Sequence, residues 1–348
     1  MLLKKNFTKL LKNNKISILF IGKLDLQNGS DRIFINTFSK FLNNLDNCVS
    51  KVSEDIPEQI NFDIVIVKKN FPLSELKKLD KKNREYLIGI INPTDKKNGL
   101  KIMQKADFAI TGSVEEKAYY SKYIKCFIYP LIEEVKRTLI KSYSSRPKNI
   151  ICYHGNKQHL DFININLEKA LKRLTKEGFK FKAIYNFKNL GKCKKSFITD
   201  HIQWEKETWL EEISNSTVGV CPNTHNSGFF RNQLTKLVAR KRIFSNDYFL
   251  QYKNTSNASR AFIFHQLKIP VVAEIGGSFQ HILGDERAGY ICYSENSWYE
   301  SISRISNDKN LIKNFSERAY DLMNNLYDPL IWCERFISEL KYWVSNKI

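Results

Sequence analysis

The chain has 348 residues, long enough for two domains. Its 42% hydrophobic and 26% charged residues give the balance of a packed globular protein rather than a disordered or collagen-like one. Against 36 acidic residues stand 56 basic ones, a formal net charge of +20 that favours anionic partners: nucleic acid, phosphorylated small molecules or an anionic membrane face. No apolar run approaches the roughly 20 residues that cross a bilayer, and the scarcity of Gly (14) and Pro (8) excludes long flexible linkers.

Residues 1–15 place Leu2, Leu3, Phe7, Leu10 and Leu11 on one helical face, with Lys4, Lys5, Lys9, Lys12 and Lys15 around it. This is the pattern of a basic amphipathic helix lying on an anionic bilayer, and it lacks the core of a signal peptide. The apolar run 16–22 reads as a buried strand and 32–42 as a helix, with Ile33, Phe34, Phe38, Phe41 and Leu42 at helical spacing. Strands follow at 63–67, 86–91, 108–111 and 126–129, alternating with helices at 73–79, 102–106 and 115–123. The polar stretch 134–148 reads as a connection. The alternation then restarts, with strands at 149–153, 181–185, 218–221, 270–273 and 289–293. Helices are expected at 162–177, 206–214, 258–267 and 279–283 and over much of 298–348. Strands alternating with helices predict parallel sheets, here two α/β domains in tandem at 1–140 and 148–329. The closing helix, 330–348, is expected to pack back on the first domain.

Seven scattered cysteines with no Cys-x-x-Cys argue against a disulfide framework and a zinc module, and suit a reducing cytoplasm. No Gly-x-Gly-x-x-Gly, Walker loop, Asp-x-Asp or Gly-x-Ser-x-Gly occurs. Ligands of open α/β sheets bind beyond the carboxyl ends of the strands, and four such ends carry polar clusters. Asn28, Gly29, Ser30, Asp31 and Arg32 form the first turn, where Ser30 or Asp31 suits a helix cap and Gly29 admits a ligand. His154, Gly155, Asn156 and Lys157 form the corresponding turn of the second domain, suited to a phosphate or substrate; no carboxylate joins His154 and His159 for a metal. Lys253, Ser256, Asn257 and Arg260 open the helix at 258–267. Its N-terminal N–H groups and two cations suit a pyrophosphate, with Ser256 or Asn257 as cap. Glu274, Gly276 and Gly277 follow the strand at 270–273, where Glu274 can meet a sugar hydroxyl.

The segment 253–278, together with 288–298, Ser316–Ala319, Tyr153–Gly155 and Gly29–Arg32, resembles the corresponding parts of GT-B glycosyltransferases. The resemblance implies two Rossmann-like domains facing across a cleft, the second binding a nucleotide-sugar and the first an acceptor. It places Trp204 and Asn223 with the donor-side residues Gly155, Asn156, Lys157, Lys253, Ser256, Asn257, Arg260, Glu274, Gly276 and Gly277. On the acceptor side it places Asn28, Gly29, Ser30 and Arg32. The sequence departs from the family in one respect: many retaining members carry two Glu eight apart near the donor helix, and here no two Glu have that spacing.

The implied reaction is transfer of a sugar (EC 2.4, hexosyltransferase type) to a saccharide or lipid-linked acceptor in surface polysaccharide or glycoconjugate synthesis. It needs no essential metal or cofactor, because fixed N–H groups and cations can stabilise the departing diphosphate. Asp25, Asp31, Asp95 and His154 sit at strand ends as candidate bases. The expected location is cytoplasmic, peripheral at the inner membrane face, with no nucleic-acid partner, since no nucleic-acid module is recognisable. The main alternative is a catalytically inactive protein of the same fold that binds a sugar nucleotide. A sugar-nucleotide epimerase shares the layout but needs a cluster of acidic residues and His that is absent.

Overall fold

A computed structural model describes residues 15–24, 29–80, 84–223, 258–284 and 288–346. The amphipathic N-terminal pattern and the polar stretch 223–246, beyond Asn223, lie outside the described residues, as do Asp25, Asn28, Lys253, Ser256 and Asn257. The chain divides into two compact units: Met1–Glu134 with Tyr327–Ile348, and Val135–Leu326.

Unit 1 is a parallel six-stranded sheet in the order β2-β1-β3-β4-β5-β6. Its strands are β1 (Ile16–Ile21), β2 (Cys48–Ser53), β3 (Ile64–Lys68), β4 (Leu87–Ile91), β5 (Phe108–Thr111) and β6 (Lys125–Ile128). Successive side chains leave a strand on opposite faces, and both faces here are covered, so the central strands are apolar throughout. Ile16, Ile18, Phe20, Ile64 and Ile66 join one core layer with helix α1 (29–42) and the closing helix. Leu19, Ile21, Val65 and Val67 join the opposite layer under α2 (Leu73–Leu79), α3 (Lys97–Met103) and α4 (Val114–Tyr120).

The middle of α1, Arg32–Thr37, is π-helical. Such widening is common at functional sites. Asp31 and Arg32 stand where it begins, both paired within unit 1: Asp31 with Lys68, Arg32 with Glu133.

Unit 2 carries the order β9-β8-β7-β10-β11-β12, all parallel, which is the doubly wound Rossmann order. Its strands are β7 (Ile150–His154), β8 (Lys180–Tyr185), β9 (Asp200–Gln203), β10 (Val218–Cys221), β11 (Val271–Glu274) and β12 (Gly289–Cys292). Helix α5 (Ile165–Lys176) and two later helices, α9 (Glu295–Asn307) and α10 (Lys309–Asn325), build one core layer through Leu167, Leu171, Trp298, Ile302 and Phe315. Three more helices, α6 (Trp209–Ser214), α7 (Ser259–Gln266) and α8 (Gly277–Leu283), complete the unit. Gly219 on β10 makes room for α7: a Cβ there would lie 2.5 Å from the Phe264 ring.

Three features differ from the sequence expectation or go beyond it. Strand β2 has no counterpart among the strands the sequence predicts. It is an edge strand whose Cys48 and Ser50 are buried while Val49 and Lys51 face out, so it presents no apolar run. Much of the stretch expected to connect the domains is fastened to unit 2. Arg146 donates to the Leu267 and Lys268 carbonyls, both at 2.7 Å, and so satisfies carbonyls at the end of α7. Finally, the closing helix α11 (Pro329–Ser345) starts with Asp328 capping Leu330 N at 2.7 Å and buries Phe336, Ile337, Leu340 and Val344 in the core of unit 1, while Leu330 and Ile331 stay exposed. All seven cysteines are buried and unbridged.

Candidate functional site

In unit 2 the strand order reverses between β7 and β10, the switch point at which doubly wound sheets bind ligands. The elements meeting there are the end of β7, the end of β10 and the first turn of α7. Gly155 leaves β7 with φ +135°, a backbone region that disfavours side chains, and its N–H is held by the Ile184 carbonyl at 3.1 Å. A Cβ at Gly155 would meet Tyr153 Oη at 3.0 Å and Arg260 Cδ at 3.2 Å. The turn is closed by Tyr153 Oη donating to the Asn156 carbonyl at 2.6 Å, while Asn156 Oδ1 accepts from Gln158 N at 3.0 Å. Burial pushes the Tyr153 phenol well above its ordinary range, with Arg260 opposing, so it stays a neutral donor.

Arg260 ties these ends together. Its Nη2 donates to the Pro222 carbonyl just past β10 at 2.5 Å, and its guanidinium carbon lies 5.8 Å from the centre of the Tyr153 ring. Its backbone carbonyl pairs with His154 Nε2 at 3.1 Å. A carbonyl can only accept, so this contact puts the His154 proton on Nε2. Arg260 Nη1 is buried and meets no acceptor at ordinary hydrogen-bond geometry among the described residues, although the Tyr153 hydroxyl lies close enough to interact with the guanidinium. A buried cationic donor that is poorly satisfied is costly. Beside it, His154 packs edge-on to Phe264, with centroids 4.9 Å apart, and lies 5.7 Å from Trp209. Trp204 extends this aromatic run, 5.8 Å from Trp209.

Glu274, at the end of β11, is 1% exposed, and its Oε2 accepts from Asn223 N at 2.6 Å. Asn223 in turn donates to the Ile275 carbonyl at 3.3 Å. This carboxylate thus orders the strand ends. Gly276 holds the N-cap position of α8 and Gly277 is its first residue. Lys157 turns aside, to the Leu190 carbonyl at 2.9 Å and Asp161 at 3.8 Å. Ala258 occupies the N-cap position of α7 and makes no side-chain cap bond.

Unit 1 reverses its strand order between β1 and β3. Gly29 begins α1. Arg32 Nε and Nη2 both donate to Glu133 at 2.8 Å, a partly buried pair. Asp31 is 1% exposed; Oδ1 pairs with Lys68, while Oδ2 is buried with no partner among the described residues. Asp31 is therefore committed to Lys68. Asp95 is exposed and accepts from Tyr119 Oη at 2.7 Å, which together with burial holds the Tyr119 phenol up to about 12.

The structure thus gathers His154, Gly155, Arg260, Asn223 and Glu274 at one edge of unit 2, and sets Lys157 apart. The sequence reading did not single out Tyr153, Trp209 or the Pro222 carbonyl as functional. Tyr153 appears there only as part of the β7 turn, and a backbone carbonyl leaves no sequence signal. Among the described residues no helix is long and apolar enough to cross a membrane.

No protein-family model matches the chain, and no curated protein matches it. Solved structures do. Sucrose-phosphate synthase from Thermosynechococcus elongatus is 10% identical with a TM-score of 0.63, covering 96% of this chain and 100% of that one. A glycosyltransferase from Rickettsia africae is 14% identical with a TM-score of 0.60, again covering 96% and 100%. Anabaena HepE, solved in complex with UDP-glucose, is 8% identical with a TM-score of 0.59, covering 94% and 100%. At such identities the likeness is one of fold: the chain has the GT-B fold, two Rossmann-like units in succession.

Proposed function

We propose that the protein is a glycosyltransferase that takes a sugar from a nucleotide-sugar held by unit 2 and passes it to a saccharide or lipid-linked acceptor bound by unit 1. The observation that carries this reading is Arg260, whose buried Nη1 is poorly satisfied at the switch point of a Rossmann-like unit. A nucleoside diphosphate supplies acceptor oxygens. As the glycosidic bond of the donor breaks, the leaving diphosphate gains negative charge, and a guanidinium already fixed on the Pro222 carbonyl stabilises it without reorganising. Gly155 lets the backbone approach the donor, and Lys253, Ser256 and Asn257, just before α7 in sequence, are proposed to add further phosphate contacts.

In this reading the reaction is metal-independent and serves surface polysaccharide or glycoconjugate synthesis, on the cytoplasmic side of an anionic membrane. The base that activates the acceptor hydroxyl is proposed to come from Asp25, Asp95 or His154. The test is release of nucleoside diphosphate from a panel of nucleotide-sugars, with and without saccharide acceptors. Acceptor-dependent release from one donor is expected; no release from any donor by the folded protein would overturn the reading.

A further inference from the structure

Strand β6 is an outer strand of the unit 1 sheet, and Lys125 is its first residue. The turn leading into it from α4 carries Lys122 and Tyr123, both exposed. Lys122 Nζ lies 4.2 Å from the centre of the Tyr119 ring and 4.9 Å from that of Tyr123, which is 47% exposed. On the other face of β6, Lys125 Nζ stands 5.5 Å from the centre of the Phe127 ring, and the Trp343 ring of α11 lies 5.9 Å from that same ring. Tyr342, beside Trp343 in the chain, is 71% exposed. Lys122 and Lys125 make no ion pair among the described residues. Two carboxylates of this corner are engaged: Asp95 by Tyr119 Oη at 2.7 Å, and Glu339 by Arg335 at 2.8 Å with Lys117 at 3.9 Å.

All strands of a parallel sheet start at one edge. The start of β6, the start of β5 at Phe108 (6.3 Å from Trp343) and the start of β1 at Ile16 therefore share the edge opposite the switch point. The chain enters β1 there directly after the basic amphipathic pattern of residues 1–15. Tyrosine and tryptophan carry an apolar body and a polar tip, and a lysine laid over such rings keeps its charge in water. That mixture of rings and unpaired cations is the chemistry of a lipid–water interface with anionic headgroups.

We propose that this corner of unit 1 docks on an anionic lipid bilayer, with Lys122 and Lys125 meeting the headgroups and Tyr123 and Tyr342 entering between them. The proposal rests on the reading of an enzyme beside an anionic membrane and gives that reading a surface.

The test is co-sedimentation of the full chain with vesicles of phosphatidylcholine, alone or mixed with phosphatidylglycerol, with folding of each variant checked by circular dichroism. Wild type is expected on the mixed vesicles and not on phosphatidylcholine alone. A lysine near an anionic surface contributes about five-fold in affinity, so the double variant Lys122→Gln, Lys125→Gln should bind the mixed vesicles about 30-fold more weakly. Tyr123→Ser with Tyr342→Ser should also weaken binding, at unchanged charge. Lys309→Gln with Lys313→Gln, two exposed lysines of α10 in unit 2, removes the same charge elsewhere and should bind nearly as wild type. Wild type that ignores the mixed vesicles or binds both kinds equally overturns the proposal, as does a corner variant that binds as tightly as the α10 variant. No nucleotide-sugar enters this assay, so its failure leaves the proposed glycosyl transfer standing, and a chain inactive toward every donor leaves the docking surface standing.

Discussion

Two polar side chains of α7 meet the interior differently. Arg260, half-buried, rests its guanidinium on the Pro222 carbonyl at 2.5 Å and beside the Tyr153 ring. His265, five residues on, is 0% exposed, and among the described residues neither ring nitrogen reaches a hydrogen-bond partner at ordinary geometry. Burial pushes its imidazole from 6.5 down to about 3, although the nearby Ala288 backbone pulls the other way. Between those values the unfolded chain binds a proton at this residue and the folded chain does not. Stability contributed by the neutral ring is therefore complete above about pH 6.5 and falls as pH drops toward 3, by about 1.4 kcal/mol per pH unit. Urea unfolding of wild type and His265→Leu at pH 7.5 and 5.5 checks this. Wild type should lose about 1.4 kcal/mol more than the variant, whereas parallel losses would show that His265 is protonated in the fold.

Helix α11 is the element that ties the end of the chain to its beginning. Phe336 sets its ring 5.6 Å from Phe38 of α1, 5.8 Å from Phe127 of β6 and 6.3 Å from Phe108 of β5. Truncating it removes one ring from three aromatic contacts and leaves a cavity. Phe336→Ala should cost unit 1 about 3–5 kcal/mol in denaturant unfolding, and a cost near zero would mean that α11 merely rests on the surface. The apolar spacing of Phe336, Ile337 and Leu340 is readable from sequence, as are the strands whose residues are apolar on both faces, such as β1 and β3. Strand β2 is not readable, because an edge strand with one polar face carries neither signal. The site divides in the same way. Gly155 and Arg260 stand out by their place near strand and helix ends. That Arg260 turns onto Pro222 and that Asp31 pairs with Lys68 both depend on strand order, which no local pattern encodes.

Across the molecule, +20 of net charge and the GT-B fold agree with the proposed chemistry of an anionic donor. The proposed transfer depends on the switch point of unit 2 holding the diphosphate of a nucleotide-sugar through Arg260. Calorimetric titration of uridine, guanosine, adenosine and thymidine diphosphates into wild type, Arg260→Ala and Arg260→Lys tests it most directly, with folding checked by circular dichroism. A charge-assisted hydrogen bond is worth about 1.5–3 kcal/mol, so Arg260→Ala should bind the preferred diphosphate about 10- to 150-fold more weakly, with Arg260→Lys in between. Folded variants that bind as tightly as wild type, or a folded wild type that binds none of the four, would contradict the account.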